Sequence, residues 1–328
     1  MTQYAVRRLL WLPVTLLVVS FLTFTIARFG PGDPVRVAAG QHKDPEVLAQ
    51  IRADRGLDKP LPEQYVRWVS RAVRGDFGES FIQRGYSVSE LIFPRMWVSA
   101  QLGLIVLVLQ FVLGVPFGLL AARAAGTWID PAIVSTLLFV QSIPILVVIP
   151  PVLWLFALQL QILPTGGWDG LFDILWIGGV IAVPIPDPHL YIPVSVMTLP
   201  GLAGVARLVR VSALDVQLED YVRTARAKGL SESAVQLRHV FPNSLLPIVT
   251  VIGFSLVGVL EGAFFTETLL GIPGIGRFTF QAVTSRDYDT IMAITTVLAV
   301  AFVLFNLVTE LTYARIDPRV RVGARART

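Results

Sequence analysis

The chain carries the polar, basic stretch Asp220-Tyr-Val-Arg-Thr-Ala-Arg-Ala-Lys-Gly-Leu-Ser-Glu-Ser233, which continues to Pro242. This stretch separates two apolar runs, one ending near Ala206 and the other starting near Leu245. If both runs cross a bilayer, the charged residues between them lie outside the hydrocarbon. An ordinary basic loop is the commonest interpretation of such a stretch, but the order of its residues predicts a more defined structure.

That order predicts two helices joined by a glycine turn. The residues from Glu219 to Lys228 are good helix formers with few β-branched side chains, which favours a first helix. Gly229 follows at the position where a left-handed residue would close that helix. Ser231 is placed to cap a second helix, Glu232 to Val240, which Pro242 would end. The prediction is a basic helical hairpin.

The composition is that of an integral membrane protein. Hydrophobic residues make up 54% of the 328 residues and charged residues 15%, and the mean hydropathy is +0.67. Soluble domains carry about 25% charged residues. Cysteine is absent, which excludes disulfides, cysteine-ligated zinc and thiol catalysis. The net charge of +4 is concentrated beside apolar runs, which indicates membrane orientation and argues against nucleic-acid binding.

Six apolar stretches are long enough to cross ~30 Å of hydrocarbon, which takes about 17–25 helical residues each. These stretches are Leu9–Ala27, Val98–Ala122, Ala132–Leu160, Leu190–Ala206, Leu245–Phe265 and Ile291–Leu311. The predicted fold is an all-α polytopic membrane protein with a first transmembrane helix (1–27), a helical extension (28–97), a five-helix core (98–312) that includes the hairpin (213–243), and a basic tail (313–328). A seventh stretch, Leu171–Val183, is too short to span and precedes several prolines, which predicts a re-entrant or interfacial segment.

The distribution of arginine predicts the orientation of the spans. Basic residues lie in the N-terminal segment, the hairpin and the C-terminal tail, whereas the loop Gln161–His189 has no Lys or Arg. The basic side is expected to be cytoplasmic, and an even number of spans places both termini there. The extension is then extracytoplasmic, with helices expected over Pro45–Arg55, ended by Gly56, and over Leu61–Val73.

Prolines and one carboxylate indicate where a translocation path could lie. Pro144, after Ser142, and Pro200 fall within predicted spans, where proline bends helices. Simple packing and a bent helix beside a path are both open interpretations. Glu261 lies inside the fifth predicted span, where a carboxylate is costly. It is predicted to face the path, to pair with arginine, to be protonated, or to be hydrated near the surface.

The sequence lacks the motifs of an enzyme. The three lysines, Lys43, Lys59 and Lys228, do not precede Ser or Thr, which excludes a P-loop. The three histidines show no metal-ligand spacing, so we expect neither a metal nor a cofactor on this chain and no catalysis by it. Two classes remain: a permease subunit driven by a separate ATPase, and a self-contained secondary transporter or channel, which typically shows internal repeats and paired intramembrane charges.

The hairpin resembles the EAA loop of ABC-importer permeases. The resemblance rests on Ala225-x-x-x-Gly229 with Pro242 thirteen residues further on, and the string Asp220 to Ser231 is similar to the peptide/nickel branch of that family. The family's leading Glu corresponds to Arg223 here, and its first Ala to Thr224. The resemblance implies that the hairpin couples to an ATPase through Tyr221, Arg223, Thr224, Ala225, Lys228, Gly229, Leu230 and Pro242.

Further motifs extend the resemblance to nearly the whole chain. They are Pro31-Gly-Asp-Pro34, Gly56-Leu-Asp-Lys-Pro-Leu-Pro62, Gly75-Asp-Phe-Gly78, Gly114-x-Pro-x-Gly118, Ser142-Ile-Pro144 and Ile272-Pro-Gly-Ile-Gly-Arg277. Met96-Trp-Val-Ser99 departs from the family's usual Leu-Pro-Ala-Thr. The resemblance is to the first of the two permeases in such importers, which have the type I permease fold.

The resemblance also implies the partners. They are a second homologous permease, two cytosolic ATPase subunits that use ATP and magnesium, an extracytoplasmic solute-binding protein, and the lipid bilayer of the cell membrane. Di- or oligopeptides are the expected cargo. Nickel chelates, glutathione and sugars are the alternatives, because the binding protein usually selects the cargo in such systems.

Overall fold

The structure is a computed structural model that describes residues 2–29, 35, 44–80, 83, 85–177, 181–245, 248, 251, 255 and 263–316. The helices are α1 (Thr2–Phe29), α2 (Pro45–Asp54), α3 (Leu61–Ala72), α4 (Val88–Arg123), α5 (Ile129–Ser142), α6 (Ile145–Leu153), α7 (Tyr191–Gln217), α8 (Asp220–Ala227), α9 (Glu232–Val235), α10 (Phe241–Ser244), α11 (Phe264–Leu269), α12 (Ile275–Thr284) and α13 (Tyr288–Ile316). The strands β1 (Phe172–Ile177) and β2 (Ile181–Pro186) lie between α6 and α7. Short π-helical turns follow α6 (Trp154–Gln159) and α9 (Gln236–Val240), and a 3-10 turn (Pro188–Leu190) precedes α7.

The chain divides into two compact units. The first unit comprises Met1–Ser99, Leu260–Phe264 and Pro273–Leu311, and the second comprises Ala100–Val259, Phe265–Ile272 and Thr312–Thr328.

Among the residues that the structure describes, four helices are long and apolar enough to cross a membrane, and a bent pair would make a fifth span. They are Leu10–Phe29, Val88–Arg123, Pro188–Gln217 and Tyr288–Leu307, with Ile129–Ser142 and Ile145–Gln159 as the bent pair. Helices α4 and α7 extend well beyond the apolar runs Val98–Ala122 and Leu190–Ala206 that predicted them. The fifth predicted span, Leu245–Phe265, lies largely outside the described residues.

The predicted span Ala132–Leu160 corresponds to two helices, α5 and α6, and the chain bends by 88° between them. Ile143 has φ −84° and ψ 119°, and Pro144 has φ −59° and ψ 137°. A proline ring clashes with a helical conformation at the residue before it, so Ile143 adopts an extended one and α5 ends at Ser142. The bend expected near Pro144 is therefore a break in the helix.

The prediction of an all-α chain is wrong at Leu171–Val183, where β1 and β2 form an antiparallel hairpin. Phe172 lies opposite Pro186, and Ile174 opposite Pro184. The Asp187 N–H donates to the Leu171 carbonyl at 3.1 Å, toward β1. Backbone N–H groups alternate in direction along a strand, so every second residue of β2, counted from Pro186 backward, directs its nitrogen away from β1, to the unpaired edge of the sheet. Pro184 and Pro186 are such residues, so the missing N–H of each proline does not remove a hydrogen bond between β1 and β2.

In the first unit, α2, α3 and Gly56 agree with the prediction. Gly56 has φ +64°, the left-handed conformation expected of a glycine that ends a helix. Tyr65 of α3 packs edge-on against Phe21 and Phe24 of α1, and its hydroxyl lies 2.9 Å from Ser20 Oγ. The aromatic residues of α3 therefore attach the extension to the first span by packing.

In the second unit, α4 and α7 approach closely at two glycines. A Cβ added at Gly114 would lie 2.8 Å from Val205 Cβ, and one added at Gly118 would overlap the Ala206 carbonyl oxygen and lie 2.6 Å from Val209 Cβ. Glycines four apart on one helix face allow this approach of two backbones. This geometry indicates a packing role for Gly114 and Gly118. The C-terminal ends of the same two helices contact the hairpin.

A candidate coupling hairpin

The turn of the hairpin is a Schellman motif at the end of α8. The Gly229 N–H donates to the Arg226 carbonyl at 2.9 Å, and the Leu230 N–H donates to the Ala225 carbonyl at 3.4 Å. Gly229 has φ +79°, which glycine adopts without the cost that a Cβ brings. Apart from Gly229 and its two chain neighbours, no atom of the described residues lies within 4 Å of a Cβ added there, so the constraint at Gly229 comes from its backbone conformation.

The second arm begins as predicted and ends later than predicted. The Ala234 N–H donates to the Ser231 Oγ at 3.4 Å, so Ser231 caps α9. The prediction that Pro242 ends this helix is wrong, because the helical path continues through α10 to Ser244. The π-helical turn Gln236–Val240 explains the difference: its wider coil relieves the clash of a proline ring with the preceding turn.

A salt bridge across the turn joins the two arms. Arg226 Nε and Nη2 donate to Glu232 Oε2 and Oε1 at 3.1 and 3.0 Å, and Gln236 Nε2 donates to Glu232 Oε1 at 3.1 Å. Hydrogen bonds first from Arg226 and then from Gln236 hold the pKa of Glu232 below its usual range. This pair was not predicted from the sequence, although two opposite charges six residues apart flank the turn.

The inner face of the hairpin is apolar and buried. Ala225, 5% exposed, packs with Val222 of α8, with Val235 and Val240 of the second arm, and with residues at the ends of the long helices. The contacting residues at those ends are Ala122 of α4 and Ala213 of α7. Ala225 thus lies in the chain's own core, whereas the family resemblance implied that it takes part in the contact with an ATPase. The sequence contains a signal for this burial, because Val222 and Ala225 are three residues apart and therefore lie on one face of the helix.

A buried hydrogen bond adds to this attachment. The Ser212 hydroxyl of α7 donates to the Ser244 carbonyl of α10 at 3.1 Å, and both residues are buried. The arms therefore contact α4 and α7 through a closed apolar core and a buried hydrogen bond.

The remaining predicted coupling residues lie on the outer face of the hairpin. Tyr221, Arg223, Thr224, Lys228, Leu230 and Pro242 are exposed. The Thr224 hydroxyl donates to the Asp220 carbonyl at 2.8 Å, and Arg223 lies 3.7 Å from the Asp220 carboxylate. Partial desolvation of the Tyr221 hydroxyl, and secondarily the nearby Glu219 charge, raises its pKa.

Two large apolar side chains of this outer face were missed. Leu218 is 68% exposed beside α8, and Leu237 is 67% exposed on the second arm. Together with Tyr221 and Leu230 they give the hairpin exposed apolar side chains among its charges. The sequence contains a signal for these residues, because Leu218 and Leu237 are large apolar residues in an otherwise polar segment.

The predicted path residues are distributed along the spans. The Ser142 hydroxyl donates to the Leu138 carbonyl at 2.7 Å at the end of α5, and Pro144 is the exposed N-cap residue of α6. Pro200 lies inside α7. Glu261 lies outside the described residues, so the structure does not place it relative to the other three.

A charge pair missed by the sequence analysis connects the broken span to α7. Arg210 Nε and Nη2 donate to the two Asp130 oxygens, each at 2.6 Å, and the Asp130 side chain is buried. A bidentate arginine–carboxylate contact fixes both distance and orientation. It attaches the N-terminal end of α5 to the C-terminal part of α7, close to the hairpin in sequence.

One group of side chains in the second unit has the composition of a cation site. Ligand atoms of Asp169, Asp187 and His189 lie within 4.8 Å of one another. His189 Nδ1 is 2.7 Å from Asp187 Oδ1, and the same oxygen accepts the His189 N–H at 2.8 Å. Asp187 thus caps the 3-10 turn before α7, a structural role that accounts for the contact.

These features define a mostly helical, multi-pass membrane protein with a polar helical hairpin fixed to two of its long helices. Residues 114–322 match the family described as binding-protein-dependent transport system inner membrane component, and residues 1–89 match the N-terminal family of the same membrane components. The chain belongs to this family of ABC-importer permeases, whose members work with partner ATPases in the inner membrane.

Named relatives and a solved structure are similar along most of the chain. A probable peptide ABC transporter permease of Sinorhizobium fredii is 36% identical over 98% of this chain and 100% of its own length. The oligopeptide transport system permease OppB of Haemophilus influenzae is 33% identical over the same shares. The MetNI methionine ABC transporter superposes with a TM-score of 0.51 at 14% identity, covering 69% of this chain and 96% of the other, which shows a common fold.

Proposed function

We propose that this permease forms the translocation path of an ATP-driven importer of di- and oligopeptides together with a second, homologous permease. The peptide and oligopeptide permeases that resemble it along its whole length support this cargo. A solute-binding protein delivers the cargo from outside, and two cytosolic ATPase subunits, which use ATP and magnesium, supply the energy.

The hairpin, residues 213–243, is the proposed coupling element of the EAA type. The observation that carries this proposal is the closed core in which Val222 and Ala225 contact the ends of α4 and α7. A motion imposed on the hairpin by an ATPase requires such a stiff attachment to reach the spans. The outer face, with Tyr221 and Leu230 among basic residues, is the proposed ATPase contact.

The same hairpin favours an ATP-driven importer over the self-contained secondary transporter. A secondary transporter needs its own ion-coupling site within the membrane. The Asp130–Arg210 pair is a closed contact between two helices, which favours a structural role. For the cargo, nickel chelates, glutathione and sugars remain the alternatives to peptides, and identifying the ligand of the binding protein decides among them.

The proposed path includes Ser142, Pro144, Pro200 and Glu261. The break at Pro144 supports a role for this region, since irregular backbone within a membrane protein occurs where it is buried or lines a cavity. The break separates α5, which is attached to α7 through Asp130, from α6. We propose that α6 moves relative to α5 when the path opens.

Substitutions at Gly229 test the coupling proposal. Because only the backbone constrains this position, the effect should follow the cost of φ > 0: small for Gly229→Asn, about 1 kcal/mol for Gly229→Ala, and largest for the β-branched Gly229→Val. The measurement is peptide-stimulated ATP hydrolysis and peptide uptake by the importer reconstituted in liposomes. We expect both to fall in that order while the amount of inserted permease is unchanged. Wild-type rates of peptide-stimulated ATP hydrolysis and of uptake in all three variants would exclude the hairpin as the coupling element.

Reporter fusions test the proposed six spans, with both termini cytoplasmic and residues 28–97 outside. Fusions after Arg123, Lys228 and Arg319 should report a cytoplasmic location, and fusions at Asp54 and Gly166 an external one. An alkaline phosphatase and green fluorescent protein pair gives opposite signals on the two sides. Phosphatase activity after Lys228, or fluorescence at Gly166, would contradict this topology.

A further inference from the structure

Helix α3 of the first unit lies beside the second half of the first candidate span, Leu10–Phe29, and not beyond its end. The Tyr65 hydroxyl lies 2.9 Å from Ser20 Oγ and 3.1 Å from the Leu17 carbonyl oxygen. Ser20 lies about 14 Å inward from Phe29, at 1.5 Å per helical residue. The hydrocarbon of a bilayer is about 30 Å thick, so the Tyr65 side chain ends near the middle of the membrane.

Two successive turns of α3 contact α1 at this depth. The Tyr65 ring packs edge-on against Phe21 and Phe24, with centroid distances of 5.4 and 5.3 Å. Trp68, on the next turn, packs against the buried cluster that contains Phe24 and Ala27 of α1. Because both turns lie against the span, the helix itself, and not only one long side chain, is at the level of the lipid.

The apolar surface of α3 is wider than the part that the chain itself covers. Val66 is 66% exposed and Val73 82% exposed, and Val69 between them is half-buried. Their spacing of three and four residues places these three valines, the valine stripe, on one side of the helix. Val69 follows Tyr65 by four residues, so the stripe adjoins the side of α3 that contacts α1.

The opposite side of α3 is polar. Arg67 pairs with Glu63 at 3.2 Å and Arg71 pairs with Asp76 at 2.8 Å, and the side chains of both pairs are about half exposed. Arg74, just after the helix, is exposed and has no ion-pair partner among the described residues. A helix with an uncovered apolar stripe on one side and mainly basic residues on the other has the character of a helix that lies in the membrane interface.

We propose that α3 is an interfacial helix and that phospholipid acyl chains of the outer leaflet cover its valine stripe. Lipid is the occupant because the stripe adjoins a membrane span at the depth of the hydrocarbon. The Arg74 guanidinium can then bind a lipid phosphate, which removes the cost of an unpaired cation at this level. The choice of leaflet rests on the proposed topology. The inference goes beyond the proposed function because it places part of the extension within the membrane.

Single cysteines test this placement, because the chain has no cysteine of its own. Val66→Cys and Val73→Cys introduce a thiol into the stripe at exposed positions. Glu63→Cys and Arg67→Cys are the matched controls on the polar side of the same helix. The full-length chain, in nanodiscs of phosphatidylcholine and phosphatidylglycerol, is treated with a water-soluble maleimide. Only the thiolate reacts and apolar surroundings disfavour it, so we expect the stripe thiols to react at least about tenfold more slowly than the controls.

A second measurement identifies what covers the stripe. The same thiols carry a bimane fluorophore, and the nanodiscs contain phospholipid with a doxyl quencher on its acyl chain. Leu22→Cys, at a 56% exposed position of the span, is the reference for contact with lipid. We expect the lipid quencher to act on both stripe variants as it does on this reference, and iodide in water to act on the two controls.

Equal reaction rates on the two sides of α3 would overturn the proposal. Slow reaction at the stripe without quenching by lipid would also overturn it, because a protein surface would then cover the valines. Since the nanodiscs contain no ATPase, nucleotide or peptide, either result is independent of whether the assembled importer couples ATP hydrolysis to uptake.

Discussion

An aspartate at position 225 should uncouple the permease from its ATPase more severely than any change at the Gly229 turn. Ala225 is enclosed by Val222, Val235 and Val240, so Ala225→Asp places a carboxylate in an apolar core. The effective cost of burying an ion without a partner is on the order of several kcal/mol. We expect the arms to separate from the ends of α4 and α7, with loss of ATPase co-purification and of peptide-stimulated ATP hydrolysis.

Ala227→Asp provides the matched control on the same helix. Ala227 is exposed, so its aspartate stays hydrated and should leave the attachment of the hairpin to α4 and α7, measured as the thermal stability of the purified permease, within about 0.5 kcal/mol of wild type. The two variants differ only in the face of α8 that carries the new charge. If Ala225→Asp retained wild-type co-purification and hydrolysis, the closed inner core would have no part in coupling. If Ala227→Asp were as harmful as Ala225→Asp, the general charge of α8, and not burial, would explain the loss.

The parts of the hairpin that the sequence predicted are those with local chemical causes. A glycine at C′ and a serine at N-cap act within a few residues of themselves, and Gly229 and Ser231 adopt the predicted conformations. The same reasoning predicted α2, α3 and the turn at Gly56. The burial of Ala225 could also be predicted from the sequence, because Val222 and Ala225 lie on the same face of α8.

The parts that sequence reasoning missed depend on compensation or on distant contacts. Pro242 normally ends a helix, but the π-helical turn before it absorbs the clash, and residue preferences do not encode that turn. Asp130 and Arg210 are 80 residues apart, so their pairing exists only once α5 and α7 are adjacent. The strands β1 and β2 were not predicted, because their hydrophobic residues run nearly continuously and do not show the alternation of apolar and polar residues that is typical of a half-buried strand.

Alanine should destabilise the permease at Gly118, where α4 and α7 are in close contact, but not at Gly204, an open position of α7. A Cβ at Gly118 overlaps the Ala206 carbonyl and lies 2.6 Å from Val209 Cβ, so the two backbones must move apart. Overpacking of this kind costs about 1–3 kcal/mol. At Gly204 of α7 the nearest described atom to an added Cβ is Gln141 Nε2 at 4.0 Å, and alanine in an open helical position is favoured by up to about 1 kcal/mol over glycine.

We therefore expect Gly118→Ala to lower the midpoint of thermal unfolding of the purified permease and Gly204→Ala to leave it unchanged or raise it. Gly118 lies one helical turn before Ala122, whose methyl group contacts the hairpin core, so separation of α4 from α7 also displaces one of the two supports of the hairpin. Gly118→Ala should for that reason reduce peptide-stimulated ATP hydrolysis as well as stability, while Gly204→Ala should preserve both. A Gly118→Ala protein as stable and as active as wild type would show that α4 and α7 do not need this close approach, and the rigid support of the hairpin would then have to come from the buried contacts of α7 alone.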